Sequence, residues 1–191
     1  IIPNFLSNKF IINKQNYKRK NNFIWSVQRE KGLKETLDVW MKYIYPKNKM
    51  TKLFIFGIDK SKFRKLKIYY KKYNIIFLGR VKKDQLKRTY EASLGMICLG
   101  YDETFCLNAI EANACGLPVI TFGKTVLKDI IKNNYNGFIV KDYKSLSIKI
   151  LELINKDKLT KKKYINNSIN SSKKYHFNKI KKKWIKLFNN K

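Results

Sequence analysis

Residues 96–122 read MICLGYDETFCLNAIEANACGLPVITF, and this stretch decides the fold. Apolar residues at both ends predict two buried strands, and small residues between them predict a slim helix that begins near Phe105 or Cys106. Gly116 is placed to end this helix, and Pro118 blocks its continuation. Because the first N–H groups of such a helix have no acceptor within it, they form a site for an anion.

Short apolar runs of the same kind recur along the chain and alternate with helix-like segments. The predicted strands are residues 23–27, 53–56, 75–78, 96–99, 119–122 and 138–140. Runs that are apolar at every position suit strands buried on both faces. The repeated βαβα order predicts an α/β fold, a Rossmann-like doubly wound parallel sheet with helices on both faces. In such sheets ligands bind beyond the carboxyl ends of the strands.

The helix-like segments carry apolar stripes at helical spacing. The first stripe, which ends near Pro46, comprises Leu33, Leu37, Trp40, Met41 and Ile44. Similar stripes follow at residues 146–154 and 177–188. We predict one Rossmann-like domain over residues 1–157 and a C-terminal helical extension, basic and packed on that domain, over residues 158–191. The opening residues predict an extended strand, followed by a polar loop over residues 14–22.

The chain is strongly basic, with 43 Lys and Arg against 13 Asp and Glu and a net charge of +30. Lys accounts for 38 of these basic residues, and Ile, Asn, Tyr and Phe are also abundant, so most of the charge is interpreted as the composition of an AT-rich genome. A local excess remains at residues 156–191, where 13 Lys accompany a single acid, Asp157. A solvated helix face and a surface attracted to anionic lipid both stay open as interpretations.

The sequence has neither a transmembrane run of about 18 apolar residues nor a signal peptide pattern at its start. It therefore predicts a cytoplasmic protein, peripheral at the inner membrane face if the basic tail binds lipid. The chain opens at Ile1 without a methionine, which suggests a piece of a longer protein. Three singly spaced cysteines argue against a disulfide framework or a zinc site and are expected to be small buried side chains: Cys98, Cys106 and Cys115.

Two carboxylates accompany the predicted helix. Glu103 lies just before its start, and Glu111 lies about two turns into it. A carboxylate accepts paired hydrogen bonds from vicinal hydroxyls, so one can hold a ribose and the other a sugar ring while helix N–H groups face a diphosphate. Glu103 also suits the simpler role of an acid that stabilises a helix N-terminus, whereas Glu111 in an apolar helix has no such explanation.

Glu103 and Glu111, followed by small residues and by Gly-Leu-Pro-Val at 116–119, resemble the signature of the retaining GT-B glycosyltransferases of family 4, the glycosyl transferases group 1. Further stretches similar to the C-terminal domain of that family are residues 2–4, 30–33, 77–81 and 136–140. The resemblance covers nearly the whole chain. It implies the C-terminal domain of the GT-B fold, with nucleotide-sugar binding over residues 1–157.

Roles carried over from this resemblance fall on particular residues. Two of them are catalytic: Glu103 would contact the donor sugar, and Lys31 would neutralise the donor phosphate. Glu111 would bind the ribose hydroxyls. The remaining contacts would be made by backbone groups. Those of Phe105, Cys106 and Leu107 would lie near the sugar and phosphate. Those of Arg80 and Val81 would lie near the base.

The chain departs from the family pattern at three points. The usual phosphate-binding Arg falls at about Ser26, and Arg29 is the candidate substitute. Cys106 stands where Gly is frequent, which predicts a tighter helix entrance. Gly123 and Lys124 stand where the family has a Gly-Gly pair, so this loop is expected to contact the substrates differently.

The resemblance implies transfer of a sugar, with retention, from a UDP- or GDP-linked donor to a glycan or lipid-linked acceptor. The sequence contains no Asp-x-Asp, so we expect a metal-independent transferase with no cofactor. The acceptor would be held by a missing N-terminal domain, and the isolated chain is expected to bind nucleotide without transferring sugar.

The alternative is a basic nucleic-acid-binding module on a doubly wound scaffold. Acids at the ligand edge argue against it, and no nucleic acid partner is expected. His176, the only histidine, has no visible partner in the sequence and is not expected to be catalytic.

Overall fold

Six parallel strands form one sheet in the order β3-β2-β1-β4-β5-β6. The computed structural model describes residues 3–12, 19–26, 32–58, 66–100 and 104–189. The strands are β1 Phe23–Ser26, β2 Leu53–Phe56, β3 Ile75–Gly79, β4 Gly95–Ile97, β5 Val119–Thr121 and β6 Gly137–Ile139. The sequence predicts all six with ends that agree to about two residues. The α/β, Rossmann-like doubly wound parallel sheet is thereby confirmed.

Helices connect the strands and extend the chain at its C-terminus. They are α1 Leu33–Val39, α2 Leu66–Lys71, α3 Lys83–Ala92, α4 Leu107–Ala114, α5 Leu127–Ile130, α6 Tyr143–Asn155, α7 Lys158–Ser172 and α8 Phe177–Asn189. The helix of α1 continues as a wider turn over Trp40–Ile44, in which Tyr45 N donates to Trp40 O at 2.9 Å. The predicted apolar stripe of this helix is buried except at Met41, which is partly buried, and the stripe does not predict the wider turn.

Alternate residues of the strands enter two separate cores. Phe23 and Trp25 of β1 pack in the core that α1 and α6 cover, whereas Ile24 packs in the core that α4 and α5 cover. All three side chains are fully buried. Helices therefore cover both faces of the sheet, which explains why the strands are apolar at successive positions.

The direction of winding reverses at the middle of the sheet. β1 pairs with β2 on one side, and the chain continues outward to β3. β1 pairs with β4 on the other side, and the chain continues outward through β5 to β6. β1 and β4 therefore form the switch point of the sheet, and a crevice for a ligand is expected beyond their carboxyl ends.

The segment before β1 ties distant elements together. The predicted opening strand is reduced, within described residues 3–12, to one parallel bridge between Leu6 and His176 and a short turn at Asn8–Phe10. Arg19, from the predicted loop, donates to Tyr90 O at 2.8 Å, to Ser93 O at 3.0 Å and to Cys115 O at 2.5 Å. Its guanidinium therefore joins the C-terminal ends of α3 and α4, and burial lowers its pKa to about 10.

The two C-terminal helices differ in how they contact the domain. α7 packs along α4 and buries Ile165, Ser168 and Ser172. α8 has a single buried residue, Ile180. The division of the chain between residues 157 and 158 stays a prediction. Among the described residues, no helix is both long enough and apolar enough to cross a membrane.

Candidate functional site

The candidate site lies at the switch point of the sheet, beyond the carboxyl ends of β1 and β4. β1 ends at Ser26, and β4 ends at Ile97, after which the chain runs towards the start of α4. Gly32 adopts φ +75 just before α1, and a Cβ added there would lie 3.7 Å from Leu99 Cβ. The residue before α1 and the segment that directly follows β4 therefore lie against one another at this edge.

The N-terminus of α4 has no side-chain cap. Cys106 occupies the N-cap position and makes no capping hydrogen bond through its side chain. The helix begins at Leu107, within two residues of the predicted start. Leu107 N already donates to Phe105 O at 3.0 Å, so one of the three predicted backbone donors has an acceptor within the chain. The first turn of α4 holds no acidic side chain, so among the described residues none compensates the positive end of its dipole there.

Glu111 lies on the second turn of α4 and is 9% exposed. Burial raises the pKa of its carboxyl to about 7, and the nearby Lys83 partly opposes that shift. A buried carboxylate with no compensating ion pair is costly. Ala112 and Ala114, exposed by 0% and 2%, let the rest of the helix pack closely, as the sequence predicts. Glu111 is thus a buried acid on α4 whose nearby opposite charge, among the described residues, is that of Lys83.

Arg80 and Val81 follow β3 directly. Gly79, the last residue of β3, adopts φ +67 and turns the chain towards α3. The Arg80 side chain is exposed, whereas Val81 is partly buried against the core on the α4 face. Because Lys83 of α3 acts on the carboxyl of Glu111, this turn and α4 lie near one another. An exposed Arg80 side chain is compatible with a contact made by its backbone.

A polar pair that was not predicted from the sequence joins the start of α4 to the end of β1. Asn108 Nδ2, in the first turn of α4, donates to Ser26 Oγ at 3.1 Å. Ser26 is 6% exposed and is the only polar residue of β1. The resemblance implies a phosphate-binding Arg at about Ser26, so the pair lies where that contact is expected. The feature of the sequence that could have indicated this pair is Asn108, a polar residue among apolar residues of the predicted helix.

Two of the cysteines meet at the start of α4. The sulfur atoms of Cys98 and Cys106 lie 3.5 Å apart, and Cys115 Sγ donates to Phe10 O at 3.6 Å. All three thiols are buried and outside any disulfide, as expected from the sequence. Burial raises the pKa of Cys115 well above its ordinary value. The buried side chain of Cys106 thus occupies space at the N-terminus of α4 that would be empty if the residue were glycine.

Three of the predicted site residues fall outside the described ranges: Arg29, Lys31 and Glu103. Among the described residues, no group of three or more His, Cys, Asp or Glu could hold a metal ion. His176 lies between α7 and α8, where burial, assisted by Lys179 and Lys173, lowers its pKa. Its bridge partner is Leu6 of the opening segment.

Comparison with known proteins gives the site a family context. The chain is 28% identical over 115 residues to a GalNAc-alpha-(1->4)-GalNAc-alpha-(1->3)-diNAcBac-PP-undecaprenol alpha-1,4-N-acetyl-D-galactosaminyltransferase of Campylobacter jejuni, a match that covers 58% of this chain and 31% of that protein. The matches to curated relatives thus span less than a third of those proteins, 18% and 31% of their lengths.

Solved structures share the fold over almost the entire chain. A sucrose-phosphate synthase of Thermosynechococcus elongatus superimposes with a TM-score of 0.80 at 19% identity, over 99% of this chain and 51% of that one. The C-terminal domain of a group 1 glycosyl transferase, LpcC, of Francisella tularensis superimposes with a TM-score of 0.68 at 20% identity, over 91% of this chain and 96% of that one.

The model of one protein family matches residues 7–171 of the 191, a span that contains the whole sheet and the candidate site. The chain belongs to the family of glycosyl transferases group 1.

Proposed function

We propose that this chain is the donor-binding half of a retaining glycosyltransferase. It would hold a UDP- or GDP-linked sugar, and a partner N-terminal domain would present a glycan or lipid-linked acceptor. The observation that carries the proposal is the position of α4: its N-terminus, which has no side-chain cap, lies at the switch point of the sheet, and the acid Glu111 is buried on its second turn.

Each part of α4 suits one part of a nucleotide-sugar. A diphosphate at the helix N-terminus would gain the backbone N–H donors and the positive dipole end. The carboxylate of Glu111 would accept hydrogen bonds from the two ribose hydroxyls, which would replace the water that burial removes. The backbone at Arg80 and Val81, on the neighbouring turn, would meet the base. These contacts would follow one another along the carboxyl edge of the sheet, from the side of β4 towards β3.

The reaction itself would draw on residues around the sugar and the leaving nucleotide. Glu103 is proposed to contact the donor sugar, and Lys31, assisted by Arg29, to neutralise the phosphate charge that develops as the glycosidic bond breaks. Metal independence is part of the proposal because the basic residues and the helix N-terminus supply this charge compensation. The product and donor would share the anomeric configuration, as the family resemblance implies.

Comparison of lengths supports the assignment to one half of an enzyme. The chain matches nearly all of the solved C-terminal domain but only about half of the synthase. We therefore propose that the chain binds a nucleotide without turnover until an N-terminal domain completes the site. A lipid-linked acceptor is suggested by the undecaprenol-linked substrate of the Campylobacter relative. We also propose that the protein is located in the cytoplasm.

The test is calorimetric titration of the chain with UDP, GDP and ADP. We expect one of these nucleotides to bind with 1:1 stoichiometry and its affinity to fall at least tenfold in Glu111→Ala and in Lys31→Ala. Glu152→Gln, an exposed acid on α6, is the matched control and should bind as the wild type does. No binding of any nucleotide, or binding that ignores both site substitutions, would contradict the proposal.

A nucleic acid partner gives a different pattern in the same experiments. Binding through lysines would weaken steeply with salt and would be insensitive to Glu111→Ala. Titration with single-stranded and duplex oligonucleotides at two salt concentrations separates the two functions.

A further inference from the structure

Two thiols lie in contact at the junction of β4 and α4. Cys98 directly follows the last residue of β4, and Cys106 is the N-cap residue of α4. Their sulfur atoms are 3.5 Å apart. A disulfide has a sulfur–sulfur distance of about 2.05 Å, so the two atoms need to approach by about 1.5 Å for a bond to form. Since both residues lie outside the regular elements that they adjoin, neither has to leave a helix or strand for that approach.

The pair lies at an end of the core and not in its middle. Cys98 is 0% exposed and Cys106 is 4% exposed. The neighbours of Cys106 along the chain reach solvent, since Thr104 is exposed and Leu107 is 39% exposed. Hydrogen peroxide is uncharged and little larger than water. A local opening at the start of α4 therefore suffices to bring this oxidant to the Cys106 sulfur.

The third cysteine provides an internal comparison at the other end of the same helix. Cys115 directly follows α4, is 0% exposed, and donates from its Sγ to Phe10 O at 3.6 Å. Burial raises the pKa of the Cys115 thiol well above its ordinary value, which keeps it in the less reactive protonated form. The chain has three cysteines, and the other two contact each other. Cys115 is therefore expected to stay reduced under conditions that join Cys98 to Cys106.

We propose that Cys98 and Cys106 are a redox modification site, at which peroxide forms a reversible disulfide that weakens nucleotide binding at the start of α4. Hydrogen peroxide oxidises the thiol of Cys106 to a sulfenic acid and is itself reduced, with release of one water. The thiol of Cys98 then attacks that sulfur. The sulfur–sulfur bond forms, and the hydroxyl leaves as a second water with the proton of the Cys98 thiol.

The bond acts on the donor site through the backbone of α4. Closing the gap between the two sulfur atoms draws the N-cap residue towards β4, whereas Asn108 holds the first turn of α4 to Ser26 of β1. The N–H groups proposed to meet a diphosphate belong to this turn, and hydrogen bonds weaken steeply when their geometry changes. The ring closed by the bond spans residues 98–106 and includes Glu103. This effect rests on the proposed function, whereas formation of the bond does not.

Mass spectrometry tests the bond without any nucleotide. The folded chain is treated with hydrogen peroxide, the excess is removed with catalase, and the protein is then unfolded in urea and alkylated. We expect a single alkylated cysteine, Cys115, and a peptide pair joined through Cys98 and Cys106. Treatment with dithiothreitol should restore three alkylated cysteines. Three alkylated cysteines without reductant, a bond that includes Cys115, or sulfinic acid in place of the bond would each overturn the proposal.

Calorimetry of the reduced and oxidised chain tests the effect on nucleotide binding. Oxidised samples are first treated with arsenite, which reduces sulfenic acids and leaves disulfides intact. In the wild type the affinity for the best-binding nucleoside diphosphate should fall at least fivefold on oxidation and recover with dithiothreitol. A reduced chain that binds no nucleotide would contradict the proposed function and, with it, this effect, while the mass spectrum still decides whether the bond forms.

Matched substitutions assign the response to the pair. Cys115→Ala should respond to peroxide as the wild type does. Cys98→Ala removes the second thiol, so its affinity should change less than twofold on oxidation. Cys98→Ser preserves the side-chain volume and should behave as Cys98→Ala does, which excludes a cavity as the cause. An oxidised wild type that carries the bond yet binds nucleotide as the reduced form does, or an equal loss in both Cys98 variants, overturns the proposed control of binding.

Discussion

Glu111 is a carboxyl whose charge state is set by where the chain buries it. Its pKa of about 7 means that it is partly protonated at neutral pH, and ribose hydroxyls would need the carboxylate as acceptor. We expect UDP affinity, relative to that of Glu111→Gln, to rise about tenfold between pH 6 and pH 8. The phosphate of UDP also titrates near pH 6, and the Gln variant isolates that contribution. An affinity ratio that is flat across this range would contradict the role.

The same carboxyl affects stability with a definite sign. Its folded pKa of about 7 lies above the ordinary value of 4.5, so the folded chain holds the proton more tightly than the unfolded chain. The contribution is complete below pH 4.5 and is lost as the pH rises through 7. From pH 5 to pH 8 the free energy of unfolding should fall, relative to Glu111→Gln, by on the order of 2 to 3 kcal/mol. Urea unfolding of both proteins at the two pH values measures it; parallel pH profiles would refute it.

At this scale the sequence was informative for some residues and silent for others. Glu111 could be predicted because an acid in an otherwise apolar helix is costly without a purpose. Arg19 could not, since its three carbonyl acceptors come from α3 and α4, more than 70 residues away in sequence. Asn108 was missed for the same reason: its partner, Ser26, lies 82 residues earlier.

A side-chain hydrogen bond joins α4 to β1, that from Asn108 to Ser26. If it sets the width of the crevice, Ser26→Ala or Asn108→Leu should each weaken nucleotide binding three- to tenfold, and the double variant should lose no more than the larger single loss. Such a bond contributes about 1 kcal/mol. Ser26→Thr keeps the hydroxyl and serves as the control. Fully additive losses in calorimetry would mean that the two residues act separately.

The end of α4 is fitted closely to α7. Gly116 adopts φ +72, and an added Cβ would lie 2.8 Å from Ile165 Cγ2 and 2.9 Å from Arg19 Nη2. Gly116→Ala should therefore destabilise the chain by about 2 to 4 kcal/mol, from backbone strain and overpacking together. Gly123→Ala, at φ +63 beside the 38% exposed Ile139, should lose only about 1 to 2 kcal/mol. Equal losses in urea unfolding would exclude a special fit at α7.

The strands were predictable because burial on both faces makes them continuous apolar runs with no competing pattern. The wider turn at Trp40–Ile44 and the packing of α7 on α4 were not, since both depend on tertiary contacts that leave no periodic signal. The site followed the strands: once the sheet order is known, the crevice between β1 and β4 is fixed.

For the whole molecule, the two basic helices should differ in their importance for folding. A chain that ends at residue 176 lacks α8 and loses the burial of Ile180, about 2 to 3 kcal/mol. It should still unfold cooperatively. A chain that ends at residue 157 also lacks α7 and exposes α4, so it should lose cooperative unfolding. Calorimetric scans of both truncations test this, and a cooperative transition in the shorter chain would mean that residues 1–157 form an independent domain.

The central claim is that α4 binds a nucleoside diphosphate at the crevice. A crystal structure of the chain with the nucleotide that binds best tests it directly. The account predicts ribose hydroxyls within about 3 Å of the Glu111 carboxylate and the diphosphate at the N-terminus of α4. A nucleotide bound elsewhere, or in the reversed orientation with its base at Glu111, would contradict it.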